Sequence, residues 1–148
     1  MIRLEPLTLT NWEQAIDLAV DDDQQAYLPS NLISIAQSKF EPDSEVMGIY
    51  KDQRLVGMLM LAKWSGVYWI TRLMIDRFEQ GNGYGSKAIE LAVKLVFDKR
   101  NVKEVRTTVA KGNTHGQYVF VKSGFEHMGH LDEKEVVLHR VYKTGTRF

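Results

Sequence analysis

The chain predicts an α/β domain of three layers, with helices on both sides of a mixed, mostly antiparallel sheet of about seven strands. Three observations carry that prediction. Apolar runs of strand length at 46–51, 55–64 and 67–75 are separated by the turn pairs Asp52-Gln53 and Ser65-Gly66, which makes an antiparallel meander. A glycine-rich turn, Gln80-Gly81-Asn82-Gly83-Tyr84-Gly85-Ser86, then passes straight into a segment of helical apolar spacing. Strand and helix periods alternate again to the C-terminus, giving the order β-α-α-β-β-β-α-β-α-β-β.

Each element has a local reason. Ile2-Arg3-Leu4-Glu5 alternates like a short strand, and Thr10-Asn11-Trp12-Glu13 offers a capping box with Thr10 as N-cap, opening a helix that runs to Leu18 or Ala19. The acidic run Asp21-Asp22-Asp23 and Pro29 interrupt it, and a second short helix holds Leu32, Ile33, Ile35 and Ala36 before Pro42. This N-terminal part is expected to be a mobile flap. After the meander and the glycine turn, Ala88, Ile89, Ala92, Leu95 and Val96 recur on one helical face, while Lys87, Glu90, Lys94 and Asp98 point away, with Glu90 and Lys94 four apart. A strand at 105–109 follows, so the third meander strand, this helix and the new strand form a βαβ-like unit with parallel or splayed pairing. A loop through Gly112 and Asn113, a helix from about His115 to Lys122 stopped by Ser123-Gly124, and strands near 125–131 and 135–142 complete the chain.

Composition narrows the function. The length of 148 residues fits a single domain, 1–148, able to bury a core. The absence of cysteine excludes disulfides, a thiol nucleophile and thiolate metal sites. There is no apolar run long enough for a bilayer and no secretory h-region after Met1, so the expected location is the cytoplasm, with no membrane partner. A formal net charge of zero gives no reason to expect nucleic acid. Residues 1–50, however, hold nine acids against two bases, so the rest carries a compensating +7, a division that suits a cationic substrate meeting a polyanionic cofactor. His127 and His130 have His-x-x-His spacing on a strand without carboxylates at ligand spacing, so no metal is expected.

The glycine turn carries the chemistry. Glycines permit positive φ and close approach, and the first turn of the following helix leaves N–H groups that, with the helix dipole, favour a pyrophosphate. A Rossmann fingerprint fails because Ser86 stands where its last glycine should fall, and no Gly-Lys-Ser/Thr ends a Walker loop. What remains is Gln80-x-x-Gly83-x-Gly85. This resembles the acyl-CoA loop of the GNAT (GCN5-related N-acetyltransferase) superfamily, whose members move acetyl from acetyl-CoA to an amine. Asn113, Gly116, Val119, Gly124 and Phe125 are similar to the family's Asn-x-x-Ala-x-x-Leu-Tyr-x-x-x-Gly-Phe helix segment. Gln24-Gln25-Ala26-Tyr27, Gly48-Ile49-Tyr50, Leu55-Val56-Gly57 and 69–76 resemble its bacterial spermine/spermidine branch.

The resemblance implies a sheet splayed between strands 4 and 5, with acetyl-CoA as donor and no metal. Leu73, Met74 and Ile75 would offer edge amides to the pantetheine and thioester, and Gln80, Gly81, Asn82, Gly83, Tyr84, Gly85 and Ser86 would hold the pyrophosphate. Asn113 and Phe120 would contact the thiol end, and Gln25, Tyr27 and Trp69 the amine; Trp64 and Tyr68 are further aromatic candidates. Two positions depart from the family. Phe120 stands where a tyrosine usually protonates the thiolate, and Thr71 where polyamine-type relatives often carry a carboxylate. Tyr118 lies on another face of the helix from Phe120. Because an alkyl amine with pKa about 10 is only about one part in a thousand free base at neutral pH, a base is needed. Glu41, Asp43, Glu45 and the Asp21–Asp23 run can act through water, or a desolvated pocket can lower the amine's own pKa. With no cysteine for an acyl-enzyme, direct transfer to a small polyamine in a ternary complex is the leading expectation. Another amine (antibiotic, amino acid or protein N-terminus), or a non-catalytic acyl-CoA sensor, is the alternative. A homodimer through the closing strands is also expected.

Overall fold

The computed structural model describes all residues except Ala26 and 145–148. Its elements are β1 (Ile2–Pro6), α1 (Trp12–Asp17), α2 (Asp22–Gln25), α3 (Asn31–Phe40), β2 (Ser44–Lys51), β3 (Arg54–Trp64), β4 (Val67–Ile75), α4 (Tyr84–Lys94) continued by a π-helical turn (Leu95–Lys99), β5 (Glu104–Ala110), α5 (Thr114–Lys122), β6 (Glu126–His130) and β7 (Glu135–Val141). The strands form one sheet of order β1-β2-β3-β4-β5-β7-β6, antiparallel throughout except for the parallel pair β4–β5. The meander turns tightly at Ser65 (φ 51) and Gly66 (φ 78), consecutive left-handed residues whose twist suits a two-residue hairpin.

Two apolar clusters lie on opposite faces of the sheet. On one, Ala88, Ile89, Ala92 and Val93 of α4 and Phe120 of α5 pack on Ile49, Leu59, Leu61, Ile70, Val105 and Leu138. Full burial of a side chain such as Ile89 contributes about 1.5–3 kcal/mol, so this face anchors α4 and fixes where its N-terminus points. On the other, Ala15 and Val20 cover Val46, Tyr50, Met58, Met60 and Met74. Lys94 pairs with Asp98 at 2.8 Å, and Glu90 reaches Arg140 at 3.6 Å.

The N-terminal helices depart from expectation twice. Thr10 does not cap α1; the N-cap is Asn11, and its side chain accepts from Thr8 N–H (2.7 Å) and donates to the Tyr50 hydroxyl (3.2 Å). Nor is the region a loose flap. Asn31 and Ser34 are buried, and Asn31 Nδ2 donates to the Ala15 carbonyl at 2.7 Å, clamping α3 to α1. The helix therefore buries small polar residues and leaves Leu32, Ile33 and Phe40 exposed. The acidic run, expected only as an interruption, folds as the single turn α2. Among the described residues, no helix is long and apolar enough to cross a membrane.

Candidate active site

The site begins with one extra residue. Across β3 and β4, Met60 pairs with Arg72 and Leu61 with Ile70, so Thr71 is a bulge. A bulge bends its strand and shifts side-chain parity by one. Tyr68 and Ile70 before it, and Leu73 and Ile75 after it, therefore all pack beneath α4. Were Thr71 paired in regular alternation instead of bulged, the charged Arg72 would take that face.

The same residue marks where β4 leaves β5. Parallel pairing is confined to Tyr68–Val105, Trp69–Arg106 and Ile70–Thr107, although β4 continues to Ile75 and β5 to Ala110. At the apex the buried Thr107 hydroxyl donates to the Ile70 carbonyl (2.8 Å) and closes the ladder. Beyond it lies a wedge-shaped gap. Asp76 N–H donates to Val56 O (2.8 Å), and the Met74 carbonyl sits against Gly57, so these groups face β3. By the alternation of strand hydrogen bonding, the Leu73 and Ile75 amides face the gap. Of the three strand residues expected to contact the cofactor, Leu73 and Ile75 thus present backbone groups to the gap, and Met74 gives its own to the sheet.

The glycine turn closes the broad end of this wedge. Gly81 (φ 82) and Gly83 (φ 78) are left-handed, and a Cβ at either would meet nothing within 4 Å, so the turn is open above them. Gly83 is the N-cap of α4; no side chain caps that helix end and no acid lies in its first turn. The amides of Tyr84, Gly85 and Ser86 precede the first intrahelical bond, Lys87 N–H to Gly83 O at 3.2 Å. An uncapped, unneutralised N-terminus beside an open glycine turn fits a diphosphate. The loop is braced from behind: Gln80 Nε2 donates to Ile75 O (2.9 Å), Asn82 Nδ2 to Glu79 O (3.0 Å), and Arg54 holds Glu79 through bonds of 2.8 and 3.0 Å.

The other wall of the wedge is β5 with α5. Asn113 caps α5, its Oδ1 accepting from Gly116 N–H at 2.9 Å, with Nδ2 lying against Gly116, where a Cβ would come within 2.5 Å of it. Phe120 is 6% exposed and meets Phe125 edge-on at 5.1 Å. Tyr118 is exposed.

Other expected residues scatter. Glu41 gives one oxygen to Gln37 and the other to Ser44, each at 3.0 Å, and so braces the α3–β2 junction. Glu45 is held by Arg100, which also donates to Tyr68 (2.9 Å). Trp69 stacks near Trp64 (5.7 Å) at the closed end, while Tyr27 donates to Gly112 O (3.4 Å) at the open end. From the level of Arg106 to the end of β5 at Ala110, four residues at about 3.3 Å each cover roughly 13 Å, and Gly112 lies beyond in the turn. Gln25 bonds within its own turn to Val20 O (3.1 Å); Ala26 lies outside the described residues. His127 and His130 are exposed on β6, and no group of three or more metal-ligating side chains occurs among the described residues.

Sequence reasoning missed Gln24, Arg72, Asp76 and Thr107. Gln24 and Gln80 exchange two amide hydrogen bonds, Asp76 accepts from Ala19 N–H (2.9 Å), and Arg72 has a buried Nε without a partner among the described residues while Nη1 donates to Thr71 O (2.7 Å). Gln24, Arg72 and Asp76 lie in segments that resemble the spermine/spermidine branch, but the partner of Gln24 is 56 residues away.

The Acetyltransferase (GNAT) family model matches residues 12–125, so the chain belongs to that family; it is an N-acetyltransferase, and the family's acyl donor is acetyl-CoA. A probable spermine N(1)-acetyltransferase of Bacillus subtilis subsp. natto is 24% identical over 139 residues, 88% of this chain and 91% of that one. The fold matches a spermidine N-acetyltransferase from Vibrio cholerae, solved with CoA and spermine, at TM-score 0.77 and 16% identity over 95% of both chains. It also matches a PaiA N-acetyltransferase from Thermoplasma acidophilum, solved with coenzyme A, at TM-score 0.74 and 21% identity over 96% of this chain and 99% of that one.

Proposed function

We propose that this chain, as one domain, transfers acetyl from acetyl-CoA to a primary amine of a small polyamine by direct attack in a ternary complex. The carrying observation is the uncapped N-terminus of α4 opening onto a gap into which Leu73 and Ile75 present free amides. The helix end and glycine turn would hold the diphosphate, and the Leu73 or Ile75 amide would steady the thioester oxygen as negative charge grows on it. The amine nitrogen bonds to the acetyl carbon, the C–S bond breaks, and the sulfur departs as a thiolate that takes up a proton. With pKa near 8.5 a thiolate is a tolerable leaving group, so the reaction proceeds with Phe120 in place of a tyrosine. The amine's protons pass through water to a carboxylate. Of the acids weighed from the sequence, Glu41 and Glu45 are engaged elsewhere, and the Asp21–Asp23 run lies on a segment that touches the gap. The polyamine acceptor is supported by the names of relatives at 24% identity and by the acidic N-terminal third.

One observation favours a second reading, an acceptor bearing a carboxylate beside its amine. Arg72 lies next to the bulge with Nη1 on the Thr71 carbonyl but a buried Nε that has no partner among the described residues, and a guanidinium with such a spare donor suits an anion better than a polycation. Mass spectrometry after incubation with acetyl-CoA and mixed amines decides between them. Acetylated spermidine or spermine is the expected product; an acetylated amino acid would replace the acceptor; no acetylated amine at all would overturn the function. A homodimer through the fully exposed edge strand β6 belongs to this proposal and is read by sedimentation equilibrium.

A further inference from the structure

One segment touches both walls of the wedge. Ala19 begins it on the β4 side, where its N–H donates to Asp76 Oδ1 (2.9 Å) and its carbonyl accepts from Arg77 N–H (2.8 Å). Gln24 then donates to Gln80 Oε1 (3.2 Å) and accepts from Gln80 Nε2 (2.9 Å). Tyr27 reaches the opposite wall at Gly112 O. Residues 19–25 thus form a strap along the β4 side of the broad end of the gap, with Tyr27 beyond it reaching the other wall, and the strap's side-chain tether at Gln24 is to the glycine loop.

We propose that Gln24 is a positioning residue that latches this strap to the phosphate loop, so that the acceptor side of the gap is ordered by coenzyme A bound on the donor side. This rests on the function proposed above. A carboxamide has both a donor and an acceptor, so two glutamines satisfy each other without adding charge beside a diphosphate. Gln80 Nε2 also holds Ile75 O at 2.9 Å, so one amide joins β4, the loop and the strap. A ligand that holds Gly81 to Gly83 restricts the loop that carries Gln80 and lowers the entropic cost of keeping the latch closed. The Tyr27 contact, exposed and 3.4 Å long, is the weaker anchor, which leaves control with Gln24.

Hydrogen–deuterium exchange on the full chain tests this, with and without coenzyme A, alongside steady-state kinetics of wild type, Gln24→Ala and Gln80→Ala. The expected result is that coenzyme A slows exchange in residues 19–25 about fivefold in wild type. In Gln24→Ala that slowing disappears, coenzyme A affinity falls by about the same fivefold factor, as reciprocity with the lost protection requires, the amine KM rises about tenfold, and kcat changes little. Gln24→Ala combined with Gln80→Ala raises the amine KM no further than the worse single variant. Should Gln24→Ala fold poorly, Gln24→Glu keeps the acceptor for Gln80 Nε2 but not the donor, and predicts partial loss of the same slowing. Undiminished protection in these variants with unchanged amine KM, or additive effects of the two substitutions, overturns the latch while leaving acetyl transfer intact. A wild type that binds no coenzyme A, or acetylates no amine, instead overturns the function and the latch with it.

Discussion

The two walls of the wedge are built from the same parts, a strand followed by a helix, yet they treat their polar groups in opposite ways. The β5–α5 wall satisfies itself: β5 pairs with β7 along its whole length, and Asn113 caps α5. The β4–α4 wall leaves its groups open, because the Thr71 bulge turns Leu73 and Ile75 away from β5 and Gly83 offers α4 no side-chain cap. Unsatisfied backbone groups are costly unless something pairs with them. On the function proposed above, the difference assigns the β4–α4 wall to binding and the β5–α5 wall to support.

Substitutions on the two walls should separate accordingly. The largest effect is expected from Gly83→Asp, which places a carboxylate where the diphosphate would be held. Nothing within 4 Å obstructs a side chain there, but the left-handed φ of 78 strains any side chain, at a cost of about 1–2 kcal/mol that a domain of this size can bear. Coenzyme A affinity by calorimetry should fall about a hundredfold, near 2.7 kcal/mol, while melting temperature drops by only several degrees; unchanged affinity would remove the ligand from this wall. Gly57→Ala comes next. A Cβ there would lie 2.3 Å from the Met74 carbonyl, forcing β3 from β4 where the gap is shaped. Overpacking of this kind costs about 1–3 kcal/mol, measurable by urea unfolding, and should weaken coenzyme A binding as well.

On the supporting wall the order of effects reverses. Asn113→Ala removes the α5 cap and should cost about 1 kcal/mol of stability while weakening coenzyme A less than tenfold. A larger loss of affinity than of stability would show that this wall binds too. The smallest effect concerns Glu104, whose carboxyl is held below its ordinary value of 4.5 chiefly by the Arg106 guanidinium and also by His139, against the opposing pull of partial burial. A depressed carboxylate stabilises the fold above its unfolded pKa, and that stabilisation is lost as pH falls through the folded value. Melting temperature should thus drop more steeply below about pH 4.5 in wild type than in Glu104→Gln, with no difference in coenzyme A affinity at pH 7.

Local readings in the sequence succeeded where neighbours in the chain supply the cause. The meander followed from alternating apolar runs and turn pairs, and α4 from its 3.6-residue apolar spacing. The glycine turn was legible because positive φ at Gly81 and Gly83 and a helix start immediately after them are properties of that stretch alone. The capping box at Thr10 failed for the opposite reason. Asn11, next to it, finds a partner in Tyr50, 39 residues on, and that bond outcompetes the local pattern.

The residue order thus contained the strands, the best helix and the glycine turn, since each rests on patterns within about a dozen residues. The parity shift at Thr71, the hydroxyl of Thr107 at the apex, the burial of Asn31 and Ser34 and the pairing of Gln24 with Gln80 lay beyond it. These depend on groups brought together across the fold, and periodicity along a chain has no term for a hydrogen bond between residues 37 or 56 positions apart.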